Sequence, residues 1–296
     1  MALFYDMLTL FRLLALWPLP VLHALGTTLG WLVWVVSPAY RRAWTAHTRL
    51  AGLAGWSRWR SVAEAGKLVA ELPRLWLGAS VQVAWKGSAH IDAARARGDG
   101  ILFLTPHLGC FEITAQAYAA RYGTQDQPMT VLFRPPRQAW LRHLVETARQ
   151  RPGLSTASTT LSGVRQLIQA LRAGGAVGLL PDQVPPYGLG VWAPFWGQPA
   201  YTMTLSARLA QTPGTTVLVA WGERLPWGRG YCVHVMPWAA VSDAPMSADP
   251  VVAATQVNQA MEQVVRACPS QYLWAYARHK KPKVPTARKE VAIHGH

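Results

Sequence analysis

The sequence of 296 residues predicts an α/β protein with an additional hydrophobic helix at its N-terminus. From about residue 100 onward, short apolar runs alternate with longer amphipathic stretches, and this strand-helix order builds a layered domain. An almost uncharged stretch over residues 8–36 comes before that alternation. The chain is long enough for one large domain with a sizeable core.

The N-terminal stretch reads LTLFRLLALWPLPVLHALGTTLGWLVWVV, in which only Arg12 is firmly charged. Its length allows it to cross a hydrocarbon core of about 30 Å, which needs about 20 residues. Pro18 and Pro20 interrupt its first half. A membrane span, a helical hairpin lying in the interface and a buried core helix therefore all remain open, whereas a cleaved signal peptide is disfavoured because the apolar stretch is too long. We expect residues 1–40 to anchor the protein to a membrane.

Three arginines follow the hydrophobic stretch, Arg41, Arg42 and Arg49. Basic residues beside a membrane segment favour the cytoplasmic side, so the bulk of the chain is expected in the cytoplasm. No linker divides that bulk, and we expect one domain over residues 41–283. Residues 284–296 are expected to form a mobile basic tail.

The elements of this domain are read from hydrophobic periodicity. Residues 50–85 have apolar side chains near helical spacing and predict helix. The predicted strands are ILFLT (101–105), MTVLF (129–133), AVGLLP (176–181) and TVLVAWGE (216–223). The predicted helices cover residues 111–121, 137–151, 160–173, 201–211 and 250–267.

Composition narrows the class of protein. Hydrophobic residues make up 51% of the chain and charged residues 15%, against a usual charged share of about 25%. With 15 tryptophans, such a chain predicts contact with a membrane or an apolar ligand rather than disorder. The net charge of +15 predicts phosphate-bearing partners, and without an RNP, zinc-finger or basic-zipper signature these are not expected to be nucleic acid.

The three cysteines are Cys110, Cys232 and Cys268, which are far apart and form no CxxC motif. They predict neither a disulfide framework nor a zinc site, and reduced cytoplasmic chemistry is the better interpretation. No metal and no cofactor are expected.

The stretch TPHLGCFE over residues 105–112 carries the candidate chemistry. On a regular helix His107 and Glu112 would not share a face, so His107 must lie on the turn before the helix if the two are to meet. Pro106 and Gly109 permit such a turn. The two interpretations left open are a general base with its carboxylate partner, and a turn histidine beside a helix-capping glutamate.

Two further segments supply candidate substrate-binding residues. LFRPPR brings Arg134 and Arg137 to the end of a predicted strand, where guanidinium groups suit phosphates. The apolar strand before PDQ ends at Asp182 and Gln183, and the Pro/Gly/aromatic stretch that continues to residue 202 is too hydrophobic for ordinary surface. That stretch predicts either the wall of an acyl pocket or a packed Ω-loop.

Taken in order, HLGCFE, LFRPPR, PDQ with GVWAPFWGQPAYTMT, ERL and QYLWAYARHKKP resemble the motifs of the lipid A late-acyltransferase family, within the wider lysophospholipid acyltransferase-like fold. The resemblance spans about residues 1–282. It implies a mixed central sheet flanked by helices and an acyltransferase that needs no cofactor. It also implies His107 as the base and Glu112 as its partner.

The resemblance further implies the reaction and its setting. A fatty acyl chain would pass from the thioester of acyl carrier protein to a hydroxyl of a Kdo-bearing, acylated glucosamine disaccharide phosphate. This anionic glycolipid acceptor would be met at the bacterial inner membrane, with the active site on the cytoplasmic side. Arg134, Arg137, Asp182, Gln183 and Arg278 are the expected substrate-binding residues.

The sequence departs from the family pattern at two places. Cys110-Phe111 stands where the family often has Asn-Trp, and His279 stands where it often has an aromatic residue. These departures leave open a relative acting on a lysophospholipid, ornithine lipid or glycolipid, with a coenzyme A or carrier-protein donor. A serine hydrolase is disfavoured because no GxSxG elbow is present, and a non-catalytic binder of anionic lipid is a further alternative.

Overall fold

The computed structural model describes residues 2–133 and 151–284, and the side chains from Met7 onward within them. The helices are α1 (Ala2–Ala15), α2 (Leu19–Val36), α3 (Pro38–Leu50), α4 (Gly55–Ala70), α5 (Leu72–Leu77), α6 (Ala89–Ala96), α7 (Phe111–Tyr122), α8 (Leu161–Arg172), α9 (Leu205–Ala210) and α10 (Pro250–Ala267). The strands are β1 (Val83–Lys86), β2 (Gly100–Leu104), β3 (Met129–Phe133), β4 (Leu154–Ser158), β5 (Ala176–Leu179), β6 (Gly190–Phe195), β7 (Gln198–Met203), β8 (Thr215–Arg224) and β9 (Tyr231–Pro237).

Seven of these strands form one sheet in the order β1-β9-β8-β2-β5-β3-β4. All neighbours are parallel except β8 and β9, which are antiparallel, so the sheet is mixed. Strand β2 lies at its centre and is paired with β5 and with β8. The predicted fold class, an α/β protein with a mixed central sheet flanked by helices, is confirmed.

The core fills both faces of this sheet. In β2 all five residues are buried, because helices cover the sheet on each side. Leu102 and Leu104 join the cluster that contains α8 and α10, whereas Ile101 and Phe103 join the cluster that contains α6 and α7. This period of two assigns the two helical layers to opposite faces.

The structure differs from the sequence prediction in several elements. The predicted helix over 201–211 is wrong in its first part, because residues 198–203 form β7 and only Leu205–Ala210 is helical. Strands β1, β4 and β9 and helix α6 were not predicted, and β1 interrupts the helix expected up to residue 85. The helix predicted over 137–151 lies outside the described residues, except for Arg151.

The apolar stretch after PDQ contains a two-stranded hairpin, β6 and β7, instead of an Ω-loop. Phe195 pairs with Gln198, and the two residues between them, Trp196 and Gly197, have φ values of 50° and 72°. Two successive positive φ values match a tight hairpin turn whose twist suits the flanking strands. The packed aromatic surface of this stretch is therefore sheet.

Helix α2 is long and apolar enough to cross a membrane by length and composition, and it is the one such helix among the described residues. Its buried residues recur at helical spacing, and its inner face lies on α4. A Cβ on Gly66 would overlap the backbone of Gly26 and Gly30. The helix is therefore packed closely against the sheet domain, and the boundary at residue 40 stays a prediction, as does the tail boundary at residue 284.

Candidate active site

His107 lies on the turn that leaves the central strand β2, as the sequence predicted. The turn is held on both sides: Leu273 N–H donates to His107 O at 3.2 Å and Gly109 N–H donates to Gln271 O at 2.9 Å. Gly109 has φ +60°, and a Cβ there would overlap the carbonyl oxygen of Gly222. Only glycine allows this close approach without strain, so the turn and the start of α7 are fixed in place.

Asp182 is the carboxylate that contacts His107. Its Oδ1 accepts from His107 Nδ1 at 2.6 Å, and its Oδ2 accepts from the His107 main-chain N–H at 2.8 Å. Asp182 follows β5, the parallel neighbour of β2, so the two residues lie at the same carboxyl edge of the sheet. The His107 side chain is 14% exposed and that of Asp182 is 1% exposed.

Charge and hydrogen bonding keep Asp182 ionised. Burial by itself would raise its pKa, but attraction to a charged His107 ring, the two hydrogen bonds from His107 and the charge of Arg278 together hold the pKa below its usual value. Tyr272 lies beside this carboxylate, and burial together with the charge of Asp182 raises the pKa of its phenol. Asp182 is thus an anion at neutral pH, and whenever the ring is neutral the carboxylate fixes Nδ1 as the nitrogen that carries the proton.

The other ring nitrogen of His107 faces Gln183. Gln183 Nε2 lies 2.9 Å from His107 Nε2, and with Nδ1 donating to Asp182 the amide N–H donates to the Nε2 lone pair. The ring also packs edge-on against Phe111, with 4.8 Å between centroids. A substrate hydroxyl that uses Nε2 as its base would replace the hydrogen bond from Gln183.

Glu112 lies in the first turn of α7, as predicted, and lines a cavity that we call the α7 cavity. Burial lowers the pKa of the Arg151 guanidinium, and the charge of Glu112 partly opposes this shift. Arg151 itself donates to the carbonyl oxygens of Leu75 and Trp76. The carboxylate on Nδ1 of His107 is that of Asp182, and the predicted pairing of Glu112 with His107 stays a prediction.

The α7 cavity measures about 560 Å³ and is mostly apolar. It is lined by Phe111 and Glu112 at the start of α7 and lies between α7 and the strands β3, β4 and β5. A second cavity of about 240 Å³ is lined by three of the same residues, Thr105, Thr114 and Met129, and reaches Tyr118 and Trp85. The two cavities adjoin at these three shared residues, and Phe111, which lines the first, contacts the ring of His107.

Arg278 is buried behind the site. Its Nη1 donates to Tyr201 O at 2.7 Å, and its Nη2 donates to Thr202 Oγ1 at 2.7 Å. These bonds tie the C-terminal segment to β7, and the charge of Arg278 reaches Asp182 electrostatically. Direct substrate binding by Arg278 stays a prediction.

Two predicted substrate-binding residues, Arg134 and Arg137, lie outside the described residues. Within residues 2–133 and 151–284, no group of three or more His, Cys, Asp or Glu side chains is arranged to hold a metal ion. The contact between His107 and Asp182 was missed at the level of sequence. The available signal was that each residue follows an apolar strand of a predicted parallel sheet, because such strand ends meet at one edge.

A histidine with a buried carboxylate on Nδ1 and a neutral amide on Nε2, near a mostly apolar cavity, is an arrangement that suits general-base chemistry next to an apolar substrate. The sequence profile of the family described as bacterial lipid A biosynthesis acyltransferase matches residues 2–281. The chain therefore belongs to the bacterial lipid A biosynthesis acyltransferase family, and its class is that of the acyltransferases.

Curated relatives agree with this assignment. The chain is 26% identical over 276 residues to the lipid A biosynthesis lauroyltransferase of Escherichia coli, covering 89% of this chain and 86% of that protein. It is 26% identical over 188 residues to a lipid A biosynthesis acyltransferase of Haemophilus influenzae, covering 64% of this chain and 56% of that protein. For lipid A biosynthesis acyltransferase 2 of Shigella flexneri the identity is 25%, and the match covers 65% of this chain and 59% of that protein. The matches to the Haemophilus and Shigella proteins thus span less than two thirds of their length.

Proposed function

We propose that this protein transfers a fatty acyl chain from a thioester donor to a hydroxyl of a lipid A precursor, with His107 as the general base. The single observation that carries the proposal is the geometry of His107, whose Nδ1 is bonded to Asp182 while Nε2 contacts only a neutral amide among the described residues. Family membership supports the substrate class.

The chemical step begins at Nε2. The acceptor hydroxyl replaces the Gln183 amide and donates its hydrogen bond to Nε2. As the oxygen attacks the thioester carbonyl, the proton passes to Nε2 and Asp182 stabilises the imidazolium that forms. Collapse of the tetrahedral intermediate breaks the carbon–sulfur bond, and the imidazolium returns the proton to the leaving thiolate.

The oxyanion of that intermediate needs hydrogen-bond donors. The N–H groups of Gly109 and Cys110 are committed to Gln271 O and Gly222 O, respectively. Helix α7 begins at Phe111 without a side-chain cap, and its N-terminus carries positive partial charge. The Phe111 N–H is therefore the main-chain donor that we assign to the oxyanion.

The α7 cavity is the site that we assign to the donor acyl chain. It is apolar, it opens at Phe111 next to His107, and Met129 lies where it meets the second cavity. The depth of the α7 cavity sets the longest chain that fits, so shortening Met129 is expected to open space toward the second cavity and to favour longer donors. Acyl carrier protein is the proposed carrier, with coenzyme A as the alternative.

Glu112 is assigned to the mouth of the same cavity, where its carboxylate would hold the acceptor hydroxyl or support the base. The membrane assignment is part of the proposal too. The chain would lie at the bacterial inner membrane with the site on the cytoplasmic side, and the apolar α2 and the neighbouring arginines support this.

The test uses purified full-length protein, a medium-chain acyl carrier protein and the tetra-acylated, Kdo-bearing lipid A precursor, with product mass as the readout. Wild type is expected to add one acyl group, and His107→Ala is expected to lose about 100- to 10,000-fold in rate. Glu112→Gln in parallel reports whether the second carboxylate takes part. A product that still forms at the wild-type rate with His107→Ala contradicts the proposed base.

The acceptor class is tested in the same assay. If wild type is inactive on the precursor with several chain lengths and with coenzyme A donors, lysophospholipid, ornithine lipid and glycolipid acceptors are offered in its place. Activity on one of these alone would overturn the lipid A acceptor while leaving the His107 chemistry intact.

A further inference from the structure

A groove separate from the α7 cavity lies where α2 meets α4 and the end of β8. We call it the α2–α4 groove. It is open, measures about 670 Å³, and is lined by His23, Arg60, Glu64, Lys67, Arg224 and Trp227 among others. None of these residues belongs to the site built on His107.

The floor of the α2–α4 groove is closed by a saturated ion network. Arg224 Nε and Nη2 donate to the two oxygens of Glu71 at 2.7 Å and 2.6 Å, and Nη1 donates to Glu64 Oε2 at 2.7 Å. His23 Nε2 and the Tyr231 hydroxyl also contact Glu71. Each of the three guanidinium nitrogens of Arg224 is bonded to a carboxylate inside the protein and the side chain is 2% exposed, so we do not assign it to ligand binding.

The rim of the groove has unmatched positive charge. Lys67 Nζ lies 2.7 Å from Glu64 Oε1, and Arg60 Nε lies 3.6 Å from the same oxygen. The other oxygen of Glu64 already accepts from Arg224, which also binds Glu71, so in the described part of the chain the two carboxylates Glu64 and Glu71 face three cations. The side chains of Arg60 and Lys67 are 40% and 21% exposed, respectively, and each has more N–H donors than its contact with Glu64 uses.

A tryptophan stands at the edge of the groove. Trp227 is 86% exposed, and it has a φ of 61°, in the left-handed region that a bulky residue rarely adopts. The neighbouring Gly228 lies against Pro20 of α2, where a Cβ would come within 2.5 Å of the proline nitrogen. An exposed indole held on a tight turn beside an apolar helix suits the membrane–water interface.

The groove adjoins the exposed apolar side of α2. At 3.6 residues per turn, the groove-lining positions 20, 23, 24 and 27 lie on one flank, between the side that faces α4 and the solvent side. The solvent side continues onto α1, and its exposed large apolar residues include Leu13, Leu16, Trp17, Leu29, Leu32, Val35 and Val36. A patch of this kind beside unmatched cations has the chemistry of a lipid-binding surface.

We propose that the α2–α4 groove binds the phosphate of an anionic membrane phospholipid, whose acyl chains lie along the exposed side of α2. The free donors of Arg60 and Lys67 bind the phosphate oxygens, and Trp227 packs at the glycerol level. One phosphate diester carries the single negative charge that offsets the excess at the rim. The bound lipid is a component of the bilayer and not the acceptor of acyl transfer.

The test is co-sedimentation of the full-length protein with vesicles of phosphatidylcholine, with and without phosphatidylglycerol. The variant is Arg60→Gln with Lys67→Gln, and the matched control is Arg165→Gln with Arg172→Gln, which removes the same charge from exposed positions on α8. Neutralising two surface cations near a bilayer is expected to weaken binding to the phosphatidylglycerol vesicles roughly tenfold to thirtyfold. The control pair is expected to weaken it several-fold less, and binding to pure phosphatidylcholine is expected to change little in either.

Equal losses of vesicle binding for the two double variants would mean that net charge alone drives binding, and this result would overturn the proposed lipid site in the groove. The Trp227→Ala variant is a second test, because it leaves the ion network unchanged. It is expected to weaken binding to both kinds of vesicle. A Trp227→Ala protein that binds like wild type would also count against the proposal.

An acylation assay in phospholipid-free detergent micelles distinguishes a groove that binds a bilayer lipid from a groove that binds the acceptor of acyl transfer. The Arg60 and Lys67 double variant is expected to keep the wild-type KM for the acceptor there. A raised KM would assign the groove to the acceptor phosphate and overturn the proposed source of the ligand. Because vesicle binding is measured without any acyl donor, failure of this proposal is distinguishable from failure of the proposed enzymatic reaction.

Discussion

Two buried carboxylates, Asp182 and Glu71, lie in one molecule and are used in opposite ways. Glu71 accepts from Arg224, Tyr231 and His23, and its pKa is lowered to about 2, because attraction to Arg224 and these hydrogen bonds overcome the opposing effect of burial. Asp182 accepts from the ring and main chain of His107, and the ring keeps its second nitrogen on a neutral amide.

The difference separates a structural ion network from a reactive one. Around Glu71 the charged donors and acceptors bind one another, so no group there is left to accept a proton from a ligand. Around Asp182 the proposed base, His107, contacts a neutral amide that a substrate can replace, near a mostly apolar cavity. Burial of a carboxylate therefore does not by itself indicate function. A better indication is that its partner, His107, has a second hydrogen bond, with Gln183, that a substrate can replace.

Asp182→Asn is expected to give the largest effect. A carboxylate accepts from both His107 donors, but an amide accepts at its oxygen alone, so one donor must face an N–H group. The ring then loses its fixed tautomer, and kcat is expected to fall about 100- to 10,000-fold. Steady-state kinetics against Glu112→Gln measure this; a larger loss for Glu112→Gln would return the partner role to Glu112.

Arg224→Leu is expected to lower the stability of the fold and to leave catalysis nearly unchanged. It leaves Glu71 and Glu64 buried without their main cation, which costs about 3–5 kcal/mol in the free energy of unfolding. Urea unfolding checks this, with Arg208→Leu as an exposed control on α9. The kcat per folded molecule is expected to stay near that of wild type; a loss as deep as that of Asp182→Asn would erase the distinction between the two networks.

The stability that Glu71 contributes is expected to depend on pH, and unfolding measured at acidic pH tests this. A folded pKa of about 2 against about 4.3 for an unfolded glutamate means that the contribution of Glu71 is fully present above the unfolded value. It is lost as the pH falls through the range between the two. The gap in unfolding free energy between wild type and Glu71→Gln is therefore expected to close on acidification, and a gap that stays constant would contradict the assignment.

Gln183→Leu is expected to give the smallest effect. It removes a neutral hydrogen bond from Nε2 that the acceptor must displace in any case. The expected change is within about tenfold, in KM more than in kcat, since leucine keeps the volume and loses the competing donor. Kinetics over a range of acceptor concentrations measure it; a loss as large as that of His107→Ala would make Gln183 part of the catalytic machinery.

Local features of this fold could be predicted from sequence. Strands β2 and β3 and helix α7 lie where the apolar runs and the helical spacing indicated, because each follows from neighbours a few residues apart. The polar edge strand LSTAS and the four-residue β1 lack such a signal. They become strands through pairing with β3 and β9, and that pairing is a property of the whole sheet.

The site was predictable only in part, for the same reason. The place of His107 on a turn before a helix follows from Pro106 and Gly109, which are local. Its contact with Asp182 spans 75 residues and depends on β5 lying next to β2. Spacing in the chain favoured Glu112 because it is close in sequence, whereas the strand order brings Asp182 to the ring.

The close approach of Gly26 and Gly30 to Gly66 has a consequence for how the enzyme meets its substrates. A flexible tether would let the domain search the space above a bilayer, but a helix locked by its backbone moves as one body with the sheet. Once α2 rests in a bilayer, His107 stays at a fixed height above the lipid surface. Under the proposed function, the lipid acceptor would then reach it by two-dimensional diffusion within the leaflet, and a soluble donor would arrive from the opposite side.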